Sequence, residues 1–129
     1  EGAGAAGVAA IMHQKFPFFP DEKIGTILSG GNIDVQMLSV IIEKGLVKSA
    51  RKMTLIVTLI DKPGALLRLT DIFKEVNANI VKIDYDRIST TLEFGDANIT
   101  ITLETKGKEH QESIRKKLIE SKYDFKEFL

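Results

Sequence analysis

The sequence has no cysteine, no tryptophan and only three prolines, two histidines and two tyrosines in 129 residues. Lack of cysteine excludes disulfides, thiolate nucleophiles and cysteine-based zinc sites together, and fits a reducing cytoplasmic setting. His13 and His110 are far apart and have no ligand-like spacing to carboxylates, so no metal site is expected. Net charge is lacking too: 18 basic and 18 acidic side chains cancel. No bulk field then attracts nucleic acid or an anionic membrane. The longest nearly apolar run, Ala5 to Met12, is too short to span a bilayer and lacks the basic stretch of a signal peptide. What is present is a 43% hydrophobic composition, enough to offset the entropy of ordering with a packed core.

Charge density divides the chain near residue 50. Residues 1–50 carry four basic and five acidic side chains, and 51–129 carry fourteen and thirteen. The first part therefore reads as a piece of a larger protein's interior and the second as a self-contained domain. A start at Glu1 followed by Gly-Ala-Gly-Ala-Ala-Gly is expected of a fragment cut from a longer polypeptide. Residues 3–15 read as a small-residue helix stopped by Phe16-Pro17-Phe18-Phe19-Pro20. Lys23 to Leu28 reads as a strand and Ser29-Gly30-Gly31-Asn32 as a turn. Asn32 is the expected N-cap of a helix over 33–48, whose Val35, Leu38, Ile41, Ile42 and Leu46 share one face. A lone strand cannot satisfy its own ladder, so helix, strand and helix look like the remnant of a larger α/β sheet.

The second part alternates. Met53, Leu55, Val57 and Leu59 mark a strand; a helix opens near Pro63, with Asp61 or Lys62 as cap, and carries the stripe Leu66, Leu69, Ile72, Phe73 and Val76. Ile80 to Arg87 alternates again with Val81, Ile83 and Tyr85 on one side, Ser89 to Asp96 holds the turn signals, and Ala97, Ile99, Ile101 and Leu103 form a third strand. A helix over about 108–121 turns Ile114 and Leu118 inward, and Tyr123, Phe125 and Phe128 end the chain as a short strand. The order βαββαβ predicts an α+β fold, a ferredoxin-like antiparallel sheet with both helices on one face. Ile56, Ile60 and Ile80 are expected on the other face or at strand edges, where a second copy could pair.

Two turns could carry chemistry. In Leu59-Ile60-Asp61-Lys62-Pro63-Gly64-Ala65-Leu66 a glycine stands at a helix entrance, where exposed amides can receive a carboxylate; the plain alternative is an ordinary strand-to-helix turn. Asn79, opening the next strand, offers a donor and an acceptor, although Asn77 and Asn79 also suit a helix stop. Arg115-Lys116-Lys117 beside Glu109, Glu112 and Glu120 reads as a solvated face, and Asp84 and Asp86 as edge charges.

Residues 51–129 resemble the ACT domain, through Asp61-Lys62-Pro63-Gly64-Ala65-Leu66 and, one helix later, Asn77-Ala78-Asn79-Ile80. The resemblance implies a module that binds small amino acids between subunits, at positions matching Asp61, Gly64, Ala65, Leu66 and Asn79. Some serine-binding relatives carry Asn and, two places earlier, His where this chain has Asp61 and Leu59. Residues 1–50 are similar to the C-terminal end of the catalytic domain of threonine ammonia-lyase (threonine dehydratase), a fold-type II pyridoxal-phosphate family. Glu1-Gly2-Ala3-Gly4-Ala5-Ala6 and Thr26-Ile27-Leu28-Ser29-Gly30-Gly31-Asn32-Ile33-Asp34 carry this likeness. It implies that Ser29, with Gly30, Gly31 and Glu1 around it, contacts the cofactor's pyridine nitrogen in the parent enzyme.

The lysine motif and glycine run that the family uses for the Schiff base and the phosphate do not occur here. No catalytic residue and no bound pyridoxal phosphate are therefore expected of these 129 residues alone. The combined resemblance implies a parent that converts threonine to 2-oxobutanoate and ammonia, with an effector such as isoleucine or valine and a homo-oligomer built through the ACT domain. A purely structural dimerisation module without effector is the alternative. RNA binding on the sheet would need stacked aromatics and basic charge, and neither is present.

Overall fold

The elements in chain order are α1 (Gly2–Met12), α2 (Val35–Lys48), β1 (Lys52–Ile60), α3 (Ala65–Glu75), β2 (Asn79–Asp86), β3 (Asp96–Glu104), α4 (Lys108–Glu120) and β4 (Asp124–Phe128). The computed structural model describes residues 2–88 and 93–128. It divides into two compact units, Glu1–Ile42 and Glu43–Leu129.

In the second unit the alternation is realised residue by residue. Met53, Leu55, Val57 and Leu59 of β1 and Ala97, Ile99, Ile101 and Leu103 of β3 are buried, while their neighbours are half-buried or exposed. The sheet order is β2-β3-β1-β4 and every pairing is antiparallel, as expected for a ferredoxin-like fold. Leu69, Ile72 and Phe73 of α3 and Ile114 and Leu118 of α4 close over the same face. Each fully buried side chain of this size contributes about 1.5–3 kcal/mol.

The sheet departs from simple alternation at one point. Ile80 pairs with Leu103 and Ile83 with Ile101, because the register shifts between Ile80 and Lys82. A bulge inserts one residue without reversing the strand's faces. Ile80 therefore packs on the core near the start of the edge strand, the second of the two places expected for it, and Val81 is left 60% exposed. The open face is mostly polar: the hydroxyls of Thr54 and Thr102 lie 3.2 Å apart, and Thr58 donates to Asn98 Oδ1 at 2.8 Å.

At the start of β1 the chain is fastened by buried polar contacts. Ala50 is buried, and its carbonyl accepts the Thr105 hydroxyl at 2.6 Å. Gln111 Nε2 donates to Lys52 O and to Thr105 Oγ1, both at 3.3 Å. Ala50 (φ +54) ends α2 as a left-handed cap, with Arg51 N–H on Leu46 O at 2.8 Å.

The first unit corrects several expectations. Residues 23–34, including the expected strand Lys23–Leu28, have no regular structure; a strand forms only where a partner completes its ladder. The N-cap of α2 is Asp34, whose Oδ1 accepts the Gln36 N–H at 3.0 Å, rather than Asn32. α1 stops at Met12, earlier than expected, where Gln14 (φ +48) donates back to Ile11 and Lys15 to Ala10. No residue of α1 or α2 is buried, so the stripe Val35, Leu38, Ile41 and Ile42 stands in solvent.

Candidate functional site

The corner after β1 is a proline-glycine turn rather than the first turn of a helix. Ala65 N–H donates to Lys62 O at 3.0 Å, closing a four-residue turn with Pro63 second and Gly64 third, at φ +82 and ψ −3. That is type II geometry, and its third position needs the left-handed backbone that glycine adopts without penalty. α3 begins only at Ala65, with Gly64 as N-cap and no capping side chain, so neither Asp61 nor Lys62 caps it. The Ala65 amide is spent inside the turn and its methyl is buried.

Asp61 has another task. Its backbone N–H donates to Gly95 O at 2.8 Å, tying the corner to the entry of β3. Its Oδ1 accepts the Tyr85 hydroxyl at 2.8 Å, and its Oδ2 faces Arg87 Nε at 3.0 Å. The Arg87 guanidinium also lies over the Tyr85 ring, 4.9 Å from its centre. Burial, with the Asp61 hydrogen bond second, raises the Tyr85 phenol above its ordinary value. Tyr85 and Arg87 join Asp61, Lys62, Gly64 and Leu66 around a cleft of about 580 Å³, within the size range of small-molecule sites. Sequence reasoning missed Tyr85 and Arg87, because only the β2–β3–β1 register brings the end of β2 beside the end of β1. The one signal available was Tyr85's place in the alternation.

Asn79 is not at this corner. It opens β2, whereas Tyr85 and Arg87 stand at that strand's other end, and its Nδ2 donates to Glu104 Oε2 at 3.2 Å. Glu104 lines a separate cavity of about 190 Å³ with Glu43, Leu46, Arg51, Lys52 and Val81. The structure thus brings Asp61, Gly64 and Leu66 together, buries Ala65 beside them, and places Asn79 elsewhere.

In the first unit, Ser29, Gly30 and Gly31 lie in the irregular stretch, with Gly30 at φ +81. Ser29 presses on α1: a methyl group added at Gly4 would fall 1.6 Å from the Ser29 carbonyl oxygen, and one at Gly7 would fall 2.1 Å from Thr26 Oγ1. The two segments singled out in the sequence therefore meet, and they meet through glycine. Glu1 lies outside the described residues. Among the described residues no group of three or more His, Asp or Glu side chains is placed to hold a metal ion, and no helix is long and apolar enough to cross a membrane.

No family model matches the chain. It is 41% identical over 124 residues to the L-threonine ammonia-lyase of Thermotoga maritima, a match covering 96% of this chain and 30% of that protein. To the L-threonine ammonia-lyase of Geobacter sulfurreducens it is 43% identical over 114 residues, covering 88% of this chain and 28% of that protein. The chain spans about three tenths of the length of these curated relatives. Its fold is similar to that of prephenate dehydratase from Streptococcus mutans, with a TM-score of 0.50 and 23% identity over 59% of this chain and 40% of that one. With identity of this order running along nearly all of its length, the chain is similar to the C-terminal part of the L-threonine ammonia-lyases.

Proposed function

We propose that this chain is the regulatory C-terminal portion of an enzyme that deaminates threonine to 2-oxobutanoate and ammonia. Residues 1–50 would end its pyridoxal-phosphate domain, and residues 51–129 would form an ACT domain that pairs subunits and binds a small amino acid. The observation that carries this reading is the 41% identity across 96% of the chain to part of a lyase three times as long.

In the parent, Ser29, Gly30 and Gly31 would hold the cofactor ring beside Gly4, a place where the backbone contact leaves no room for a side chain. Pyridoxal phosphate, when bound, supplies an electron sink for elimination. The Ser29 hydroxyl would meet the ring nitrogen as a neutral partner and would not force a proton onto it. These 129 residues contain no Ser-x-Lys-x-Arg-Gly motif, so the chain alone is expected to attach no cofactor covalently. A visible absorbance of lysine-bound pyridoxal phosphate on adding the cofactor would contradict this.

For the effector, the cleft at Asp61, Gly64 and Leu66 offers Lys62 and Arg87 for a carboxylate and an apolar wall for a side chain. Asn79 stands at the far end of β2, so one copy cannot bring it to the same ligand; a second copy pairing through the β2 edge could. The engagement of both Asp61 oxygens by Tyr85 and Arg87 favours the structural alternative, in which the corner is self-satisfied and binds nothing. Calorimetry with isoleucine, valine, serine and threonine, run beside sedimentation, separates the two. Binding heat that Asp61→Ala removes, in a dimer, supports regulation; a dimer silent to all four amino acids supports the structural reading; a monomer silent to all four overturns both.

A further inference from the structure

A cavity of about 250 Å³ opens between the end of β1, the start of α3 and the turn from α4 into β4, lined chiefly by Leu59, Ile60, Ala65, Arg68, Lys122 and Tyr123. It shares no lining residue with the cleft at Asp61. Lys122 is placed by the way α4 ends. Its N–H donates to Ile119 O at 2.9 Å and the Tyr123 N–H to Leu118 O at 3.0 Å, the paired bonds that close a helix through a left-handed residue. Glycine is the usual residue there, but here φ +58 belongs to a lysine, and a cation is set at the cavity wall. Arg68 comes from the first turns of α3. A methyl group added at Gly64 would fall 3.5 Å from its Nη1, so the guanidinium is turned back over the helix entrance. α3 has no capping side chain and no acidic residue in its first turn, which leaves its positive end uncompensated beside that guanidinium. Neither Arg68 nor Lys122 forms an ion pair among the described residues. Of the carboxylates nearest to them in sequence, Asp71 and Asp124 pair with neither, and Glu120 faces Lys116 at 3.9 Å.

Two cations from different helices, with no carboxylate in the wall, complement a dianion rather than a zwitterion, whose ammonium group would meet no opposite charge. Arginine's planar fork matches two oxygens of one phosphate, and lysine adds a point charge. The space holds roughly eight waters at about 30 Å³ each, room for a phosphate group and a small organic remainder. We propose that this cavity binds a phosphate group, free or carried by a small phosphomonoester: Arg68 and Lys122 take its oxygens, and Ile60 and the Tyr123 ring flank the ester side. The site is complete within one copy. Occupancy would join the start of α3 to the end of α4, the two helices that cover the sheet.

The test is a titration of the isotopically labelled full chain with sodium phosphate and, separately, with glycerol 3-phosphate, at constant ionic strength against sodium chloride, following backbone amide shifts by NMR. Saturable shifts centred on Ala65 to Arg68 and Ser121 to Tyr123 are expected with the phosphates and not with chloride. Arg68→Gln and Lys122→Gly should each weaken binding about tenfold or more. Lys122→Gly should also keep or raise the thermal midpoint measured without phosphate, because glycine adopts φ +58 freely, so that lost binding is not a lost fold. Tighter binding of glycerol 3-phosphate than of phosphate assigns the site to a phosphomonoester, and equal or weaker binding to free phosphate. Equal shifts with chloride, an absence of shifts at millimolar phosphate, shifts confined to residues 61–64, 85 and 87, or full affinity in both variants would overturn the site.

Discussion

The apolar stripe that α2 brings to residues 2–42 and the stripes of residues 43–128 have opposite outcomes. In the second stretch every stripe found a partner: Phe73 and Ile114 are fully buried against a sheet whose inward positions are all apolar. In the first, Val35 is 77% exposed and Ile41 53%, and neither helix buries a residue. The difference lies in the partner. Periodicity states which face of a helix needs covering, and only a neighbouring element covers it. The contacts that do form in the first unit run through glycine, where Gly4 admits the Ser29 backbone and Gly7 the Thr26 hydroxyl.

The sharpest break of this comparison is a matched pair of truncations. Phe73→Ala should cost about 3–5 kcal/mol in urea unfolding, whereas Ile41→Ala, on an uncovered face, should stay within about 0.5 kcal/mol. Equal losses would mean that α2 is covered as well as α3. Next is Thr105→Val, which takes the hydroxyl from the buried Ala50 carbonyl and from Gln111. About 1–3 kcal/mol should be lost, and amide exchange at Ala50 to Lys52 should quicken before that of β3. A neutral result would show that this fastening is dispensable. Gly64→Ala, at φ +82, should cost about 1 kcal/mol through backbone strain and leave the buried core unchanged. A gain in stability there would rule out the left-handed turn.

The smallest effect is in acid. Arg115 holds the Glu127 carboxyl below the ordinary carboxylate range, chiefly by hydrogen bonding, including Nη2 to Oε2 at 3.0 Å, with burial opposing. The folded chain then binds this proton less readily than the unfolded one, so the contribution is complete above an unfolded value of about 4.3. It fades as pH falls through the lower folded value. Glu127→Gln should flatten the acid limb of stability by less than about 1 kcal/mol, the pair being partly exposed. Identical limbs for the two proteins would sink the assignment.

The sequence was legible wherever a local rule and the tertiary environment agreed. Alternation placed β1 and β3 to within a residue because one face of each had to meet both helices. It left the bulge in β2 unread, since a bulge depends on the register with β3 and has no marker in the strand itself. Pro63 was read as helix-opening, although a proline followed by a glycine serves a type II turn equally well until the Lys62–Ala65 hydrogen bond decides. Tyr85 and Arg87 were invisible as partners of Asp61, being more than twenty residues from it in sequence. Arg51 and Glu104 come to one cavity for the same reason, across the β1–β3 ladder.

The sequence by itself determined the order of elements after residue 50, the inward residues of β1 and β3 and the glycine at the corner, because each follows from side-chain period or backbone sterics within a few residues. Tertiary structure alone decided which charges meet, which strand carries a bulge and which apolar stripes stay uncovered. Those outcomes depend on distances between segments remote in sequence, and no local preference encodes a distance.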